Sequence, residues 1–303
     1  MLQLIKNLAQ DAKDEIFDCI DAFKGKPVKG HGDFSKRIQH RHCLFWNSPE
    51  AEIVRNTVMK ASDSLERWKD VENWQRKLSN KDNAREFAKK HGCRVPELYW
   101  RGRNIKEINF TTFPDQFVLK PTIGHSSRLV FLMHNELNLL DNLFYSRKEL
   151  TEIMRKALEQ NPYIEFIIEE FVRSEQGDFK IPVDYKFHTF RGEIAAINVI
   201  NRFANKEGFM RAYDENWNVI TELGTDFPKG PYQSPPACLE EMKMHAKELS
   251  KAYGIYVRID FYATDKGVVL GEFTPTPSAG KYFTPEADKL LIKHWNKYCK
   301  GMI

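Results

Sequence analysis

Two carboxylates, Asp260 and Glu272, stand on neighbouring apolar runs near the C-terminus with Arg258 beside them, the densest chemistry in this 303-residue sequence. The runs are Val257-Arg258-Ile259-Asp260-Phe261-Tyr262 and Val268-Val269-Leu270-Gly271-Glu272-Phe273-Thr274, joined through Thr264-Asp265-Lys266-Gly267. Strand side chains alternate in direction, so Arg258 and Asp260 share one face, and Glu272 and Thr274 share one face of the partner strand. A hairpin can bring these faces together. Two carboxylates side by side repel unless something positive lies between them. Magnesium with ATP phosphates meets that need, because it takes oxygen ligands and commonly uses one or two carboxylates. An exposed sheet face whose acids merely pair with Arg258 meets it as well.

Two further segments carry chemistry. Phe117-Val118-Leu119-Lys120-Pro121 is an apolar strand ending in a lysine, whose ammonium must lead to an anion. The loop after it, Thr122-Ile123-Gly124-His125-Ser126-Ser127, offers backbone N–H groups and hydroxyls that can cradle phosphate. An ordinary β-turn is the other reading of that loop. Ile167-Ile168-Glu169-Glu170-Phe171-Val172 is an apolar strand ending in acid, followed after a polar loop by Asp184-Tyr185-Lys186-Phe187. Such an acid can accept from an adenine amino group or a ribose hydroxyl, or can simply be a solvated strand end.

The elements that must position these groups are readable from periodicity. Residues 3–23 and 48–78 show helical spacing, with Trp68 and Trp74 expected in the core. A short helix is expected at 81–91, stopped by Gly92. Strands follow near 95–100, 117–120, 128–133, 163–172, 184–190, 193–199 and 209–213, with a turn at Arg191-Gly192. Helices are expected at 147–160, 237–253 and 285–298, and a last pair of strands at 255–262 and 267–273. The pattern implies an α+β protein of mainly antiparallel sheets with packed helices.

Composition narrows the class. The formal net charge is +4 with no long Lys/Arg run, which argues against a nucleic-acid partner. The basic patch His40-Arg41-His42 reads as solvated surface or as a phosphate or membrane-surface contact. His31, His40, His42 and His125 read as surface or packing residues. Five scattered cysteines, Cys19, Cys43, Cys93, Cys238 and Cys299, form no CxxC pair, which suggests a reducing compartment. The charged N-terminus and the lack of a long apolar run lead us to expect a cytoplasmic protein without an integral membrane segment.

Taken in order, these segments resemble the ATP-grasp superfamily, and more closely its TupA-like branch, named for teichuronopeptide and related cell-surface polymer synthesis. The resemblance covers about residues 80–290. It rests on Lys81-Asp82-Asn83-Ala84-Arg85, the FVLKP run, IIEEFV, DYKFHTFRGEI, the segment 211–217, and VRIDFY with GEFTPTPSAG. It implies an ATP-grasp fold with a helical region at 1–80, a small subdomain at 81–170 and a large one at 171–303. It implies that Lys81 and Lys120 bind ATP phosphates under a loop containing Gly124, Ser126 and Ser127. Glu169 and Val172 would lie at the adenine, Asp184 at the ribose, and Asp260, Glu272 and Thr274 at magnesium. Arg258 would neutralise a transferred phosphoryl group, with Lys186, Arg202 and Arg211 as further anion contacts. Thr274 stands where many relatives carry a metal-binding Asn, and the phosphate loop has one glycine where many have several.

The activity implied is an amide- or peptide-bond ligase acting through an acyl phosphate, with ATP and magnesium, releasing ADP. Its substrates would be a small-molecule carboxylate and an amine, one of them an amino acid. A phosphotransferase acting on a hydroxyl and a non-catalytic nucleotide-binding protein are the alternatives. Retention of Lys120, Asp260 and Glu272 together weighs against the last.

Overall fold

Helix α1 (Asp33–Trp46) opens the structure, a computed structural model that describes residues 32–124 and 127–302. The helix expected at 3–23, with Cys19, His31, His125 and Ser126, lies outside the described residues. After α1 come two short helices, α2 (Ala51–Asn56) and α3 (Leu65–Trp68), and a 3-10 turn at Trp74–Ser79. The single helical stretch expected over 48–78 is therefore broken into three short pieces. Trp68 and Trp74 are both buried, as their apolar surface demands.

Asn80 then caps α4 (Lys81–Lys90), its side chain accepting from the Asp82 N–H at 3.0 Å. Five strands follow: β1 (Leu98–Gly102), β2 (Gln116–Pro121), β3 (Phe131–His134), β4 (Leu137–Asn138) and β5 (Leu143–Phe144). Ser146 and Glu149 form a reciprocal capping box at the start of α5 (Arg147–Gln160), which leads into β6 (Phe166–Glu170). These six strands form one antiparallel sheet in the order β1-β6-β2-β3-β4-β5. Phe117, Leu119, Phe166 and Ile168 pack on Leu150 and Met154 of α5. Period-2 alternation sends the intervening residues of the central pair, including Lys120 and Glu169, to the other face.

The second sheet holds the remaining strands: β7 (Asp184–Phe190), β8 (Glu193–Ala204), β9 (Glu207–Tyr213), β10 (Tyr256–Thr264) and β11 (Gly267–Thr274). Their order is β11-β10-β7-β8-β9, antiparallel throughout. Arg191 and Gly192 both take positive φ, 53° and 98°, in the two-residue β7–β8 turn, a conformation that matches the twist of the flanking strands. Helix α6 (Leu239–Tyr253) buries Met242, Ala246 and Leu249 in one core with Phe187, Ile197, Ile259 and Phe261. The opposite face carries the even-numbered residues of β7 and β10, including Asp184, Lys186, Arg258 and Asp260.

One end of that polar-bearing face is covered. Helix α7 (Pro285–Tyr298), capped by Thr284 with proline at its first position, presents Asp288 to the start of α1. Asp288 accepts from the Phe34 and Ser35 N–H groups at 2.9 Å each and from the Ser35 hydroxyl at 2.6 Å. Phe34 then packs edge-on against Tyr256 of β10, with centroids 5.0 Å apart. Helix α1 is thereby seated beside the turn Pro277–Gly280 that follows β11.

Candidate active site

The polar face is a row of charged side chains fixed by strand register. Asp260 stands opposite Glu272 on β11 and Lys186 on β7, while Arg258 stands opposite Thr274 and His188. The β10–β11 register shifts just after Asp260, at Gly271. A Cβ at Gly271 would lie 3.1 Å from the Asp260 carbonyl, so the bulge suits a residue without one.

Arg258 organises the row. Its Nε donates to Asp260 Oδ1 at 2.7 Å, and its Nη2 to Asp260 Oδ2, Thr274 Oγ1 and Glu272 Oε1 at 2.8, 2.9 and 3.1 Å. Lys186 donates to Asp260 as well and lies 3.4 Å from Asp184. Asp184 also accepts from Arg202, whose other arm reaches Ser127 Oγ at 3.4 Å. Burial opposes ionisation of Glu272, yet Arg258, Lys81 and Lys186 together hold its carboxyl below the usual range. Burial drives the His188 imidazole down to about 3, with Arg258 adding to the effect, so His188 is a neutral partner of the Tyr256 hydroxyl at 2.9 Å.

The first sheet contributes a second set. Lys120 lies 2.5 Å from Glu169, and Arg85 of α4 lies 2.7 Å from the same carboxylate, which is 2% exposed. Lys81, one helical turn before Arg85, donates from Nζ to the Gly124 carbonyl at 3.2 Å. Its backbone N–H bonds the Thr122 carbonyl at 2.7 Å, tying the start of α4 to the loop after β2. Burial lowers the Lys81 ammonium to about 8, opposed by Glu272 and reinforced by Lys120 and Arg55. Val172 is buried just past β6. Beside it the sheets are strapped together by a Ser174–Thr264 bridge, a Lys266–Glu170 ion pair at 2.5 Å and an Arg173–Asp265 ion pair.

The structure thus gathers Arg258, Asp260, Glu272, Thr274, Lys186, Asp184 and Arg202 on one face. It sets Lys81, Gly124 and Ser127 beside them, and Lys120 with Glu169 behind. Ser126 lies outside the described residues. Arg211 is not brought to this face. It pairs across β8 with Val199, on the side away from Lys186, and ends on Glu222 at 2.5 Å. The Asp184 carboxylate, expected at a ribose, is committed to Lys186 and Arg202.

Two residues were missed by sequence reasoning. Arg85 had a readable signal, its i, i+4 spacing from Lys81 on one helix face. Asp226 had none. It sits on an exposed loop held by the Gly224–Phe283 and Met210–Lys229 bridges. Although Asp226 is itself exposed, desolvation by the protein around it raises its pKa against the pull of Arg258 and Lys186.

The donor set fits magnesium carried in with phosphates. Among the described residues no group of three or more His, Cys, Asp or Glu side chains could hold a metal alone. Glu272 is ionised, half-exposed, and has no partner at Oε2 among the described residues. Magnesium ordinarily takes one or two carboxylates and completes its shell with phosphate and water. Asp260, 1% exposed and saturated by Arg258 and Lys186, would need one of those cations to yield before it could join.

No curated protein matches the chain. Among solved structures it is similar to the VanG D-Ala:D-Ser ligase of Enterococcus faecalis, at 16% identity and a TM-score of 0.48, covering 74% of this chain and 63% of that one. It is similar to a D-alanine–D-alanine ligase of Bacillus anthracis complexed with ATP, at 16% identity and a TM-score of 0.47, covering 73% and 65%. It is also similar to an L-amino acid ligase of Bacillus licheniformis, at 14% identity and a TM-score of 0.44, covering 68% and 42%. The chain therefore spans less than two thirds of the length of each. The profile of the TupA-like ATPgrasp family matches residues 63–294, well over half of the sequence, and the chain belongs to that family.

Proposed function

We propose that this protein is an ATP-dependent ligase that joins a carboxylate to an amine through an acyl phosphate, releases ADP, and takes an amino acid as one substrate. The observation that carries the reading is the meeting of two charge sets. Lys81 and the loop after β2 face the Arg258–Asp260–Lys186–Glu272 row, and Lys120 stands behind. Residues 81–170 and 171–303 act as the two subdomains that enclose the nucleotide. Lys81, Lys120 and the loop of Gly124, Ser126 and Ser127 hold its phosphates, while Glu169 and Val172 border the adenine. Asp184 orders Lys186 and Arg202, and Arg211 contacts anionic groups only if the loop carrying Glu222 shifts.

The chemistry asks for little covalent help. A substrate carboxylate attacks the γ-phosphate, ADP leaves, and the amine then attacks the acyl carbon and displaces phosphate. Charge on the transferring phosphoryl group must be offset, which Arg258 and Lys186 do from fixed positions. Bound at Glu272, with Asp260 and Thr274 adjacent, magnesium supplies further charge neutralisation to the phosphate oxygens. Closure of the loop over the phosphates keeps water from the acyl phosphate.

The test is ADP release with magnesium and pools of carboxylates and amines, with and without hydroxylamine. ADP release that requires a carboxylate and leaves a hydroxamate is the expected result. A stable phosphorylated alcohol without hydroxamate would overturn it in favour of phosphotransfer. Asp260→Asn frees Arg258 and Lys186 from their counter-charge and is expected to lower turnover by about 100-fold or more; near-normal turnover would sink the assignment of this face.

A further inference from the structure

Two arginines outside the charge row are buried without an acidic partner among the described residues. Five basic side chains other than histidine are buried among the described residues: Arg41, Arg76, Lys77, Arg85 and Lys186. Lys77, Arg85 and Lys186 each pair with a carboxylate. Arg76, 4% exposed, instead donates to the Arg41 carbonyl at 2.8 Å and to Thr276 Oγ1 at 3.2 Å, with its guanidinium 4.8 Å from the Phe45 ring. Arg41, 8% exposed, lies 5.4 Å from the Trp295 ring and reaches the Tyr256 carbonyl at 3.5 Å. Burial lowers the pKa of both guanidinium groups, and the neighbouring Arg41 lowers that of Arg76 further. A buried, uncompensated cation is costly, and a bound anion is the usual remedy.

The place where Arg76 points is not random. Thr276 is half-buried, and its hydroxyl also meets His42 Nδ1 at 3.2 Å. It lies two residues beyond Thr274, whose hydroxyl accepts from Arg258, so the two positions are at most about 7 Å apart along the chain. Directly after it the backbone is left-handed at Ser278, Ala279 and Gly280, with φ of 47°, 49° and 82°. That conformation is costly for residues with a Cβ and tends to persist at ligand clamps. Helix α1 fixes this turn, because Gly280 approaches the Ser35 carbonyl so closely that a Cβ would lie 2.4 Å from it. Helix α1, which supplies Arg41 and His42, precedes the segment 63–294 that matches the family.

We propose that Arg76, aimed by Thr276 and backed by Arg41, binds the carboxylate of an amino-acid or peptide substrate next to the phosphoryl-transfer face, so that α1 builds a substrate subsite. The identity of the ligand rests on the ligase reading; the anion site itself does not. A guanidinium fork suits a planar carboxylate, and the Thr276 hydroxyl beside it supplies another polar contact.

The test needs neither nucleotide nor turnover. Thermal midpoints are measured for the full chain in acetate, in acetamide and in inorganic phosphate, at matched ionic strength, for wild type and for Arg76→Met. Methionine has similar length and can pack on Phe45, so the variant is expected to fold. Acetate should raise the wild-type midpoint by about 2 °C or more, acetamide should not, and Arg76→Met should lose the shift. The upward shift given by ATP should survive in the variant. Absence of a wild-type acetate shift overturns the proposal, as does a shift retained in Arg76→Met or a shift with phosphate alone. Should Arg76→Met not fold, Thr276→Val, which removes the aiming hydroxyl, must weaken the acetate response at least several-fold, and an unchanged response overturns the proposal. Carboxylate-dependent ADP release is measured separately, so either reading can fail while the other stands.

Discussion

Lys81 illustrates how a side chain's neighbours set its working range. Its ammonium is held among Lys120, Arg55 and Glu272, and burial lowers its pKa to about 8. If Lys81 holds an ATP phosphate as proposed, the ligand favours the charged form, and binding draws a proton onto Lys81 wherever the free protein has lost it. Below pH 8 the free site is already protonated and affinity should be flat. Above pH 8 the ATP dissociation constant should rise by up to tenfold per pH unit, because each unit costs about 1.4 kcal/mol. Lys81→Arg remains charged and should keep a flat profile, measured by titration calorimetry between pH 7 and 9.5. A wild-type profile that matches the arginine variant would remove Lys81 from the phosphate site. Glu169 makes a related point. Its carboxylate was legible as an acid at a strand end, but not as a buried group claimed by Arg85 and Lys120, since neither partner is near it in sequence.

Helix α1 is the element that sequence periodicity hid. Phe34, Ile38 and Phe45 are buried at helical spacing, and the position between them on the same stripe is Arg41. An arginine in an apolar row breaks the pattern and makes His40-Arg41-His42 read as a surface patch, although Arg41 is buried. The stretch 48–78 erred the other way. Met59, Trp68, Trp74 and Leu78 all enter one core, with Trp68 and Trp74 both against Phe87, but they reach it from separate short pieces of chain instead of from one helix. The seating of α1 on the turn after β11 is testable through two glycines with similar φ, 82° at Gly280 and 87° at Gly254. Gly254→Ala meets nothing within 4 Å and should cost only the backbone strain, about 1 kcal/mol. Gly280→Ala adds a collision with the Ser35 backbone and should cost clearly more in urea unfolding. Equal losses would mean that α1 gives way freely.

At the scale of the molecule, two antiparallel sheets meet along a polar seam, held by the Glu170–Lys266 and Arg173–Asp265 pairs at one edge. Those pairs are partly exposed and contribute little individually, on the order of 0–1 kcal/mol. The seam therefore leaves room for a ligand to add stability by bridging the sheets. ATP at 100 times its dissociation constant should stabilise the fold by about 2.7 kcal/mol. If Glu272 binds magnesium carried with the phosphates, then EDTA, or Glu272→Gln, should remove part of that gain in a thermal melt. An ATP effect indifferent to both would place the metal elsewhere. No described helix is long and apolar enough to cross a membrane.

The sequence by itself determined which side chains could share a strand face. Alternation is a property of adjacent residues, so Arg258 with Asp260 and Glu272 with Thr274 could be paired without coordinates. The lysine at the end of β2 and the acid near the end of β6 were legible for the same local reason. Tertiary structure decided what each charge meets. Register carried Lys186 onto Asp260 but turned Arg211 away, and Asp184 was taken by Arg202. Helix packing brought Arg76 to Thr276 across 200 residues of chain, and to the Arg41 carbonyl across 35. Such partnerships depend on which apolar faces bury against one another, and a buried charge takes whatever counter-group that packing leaves within reach.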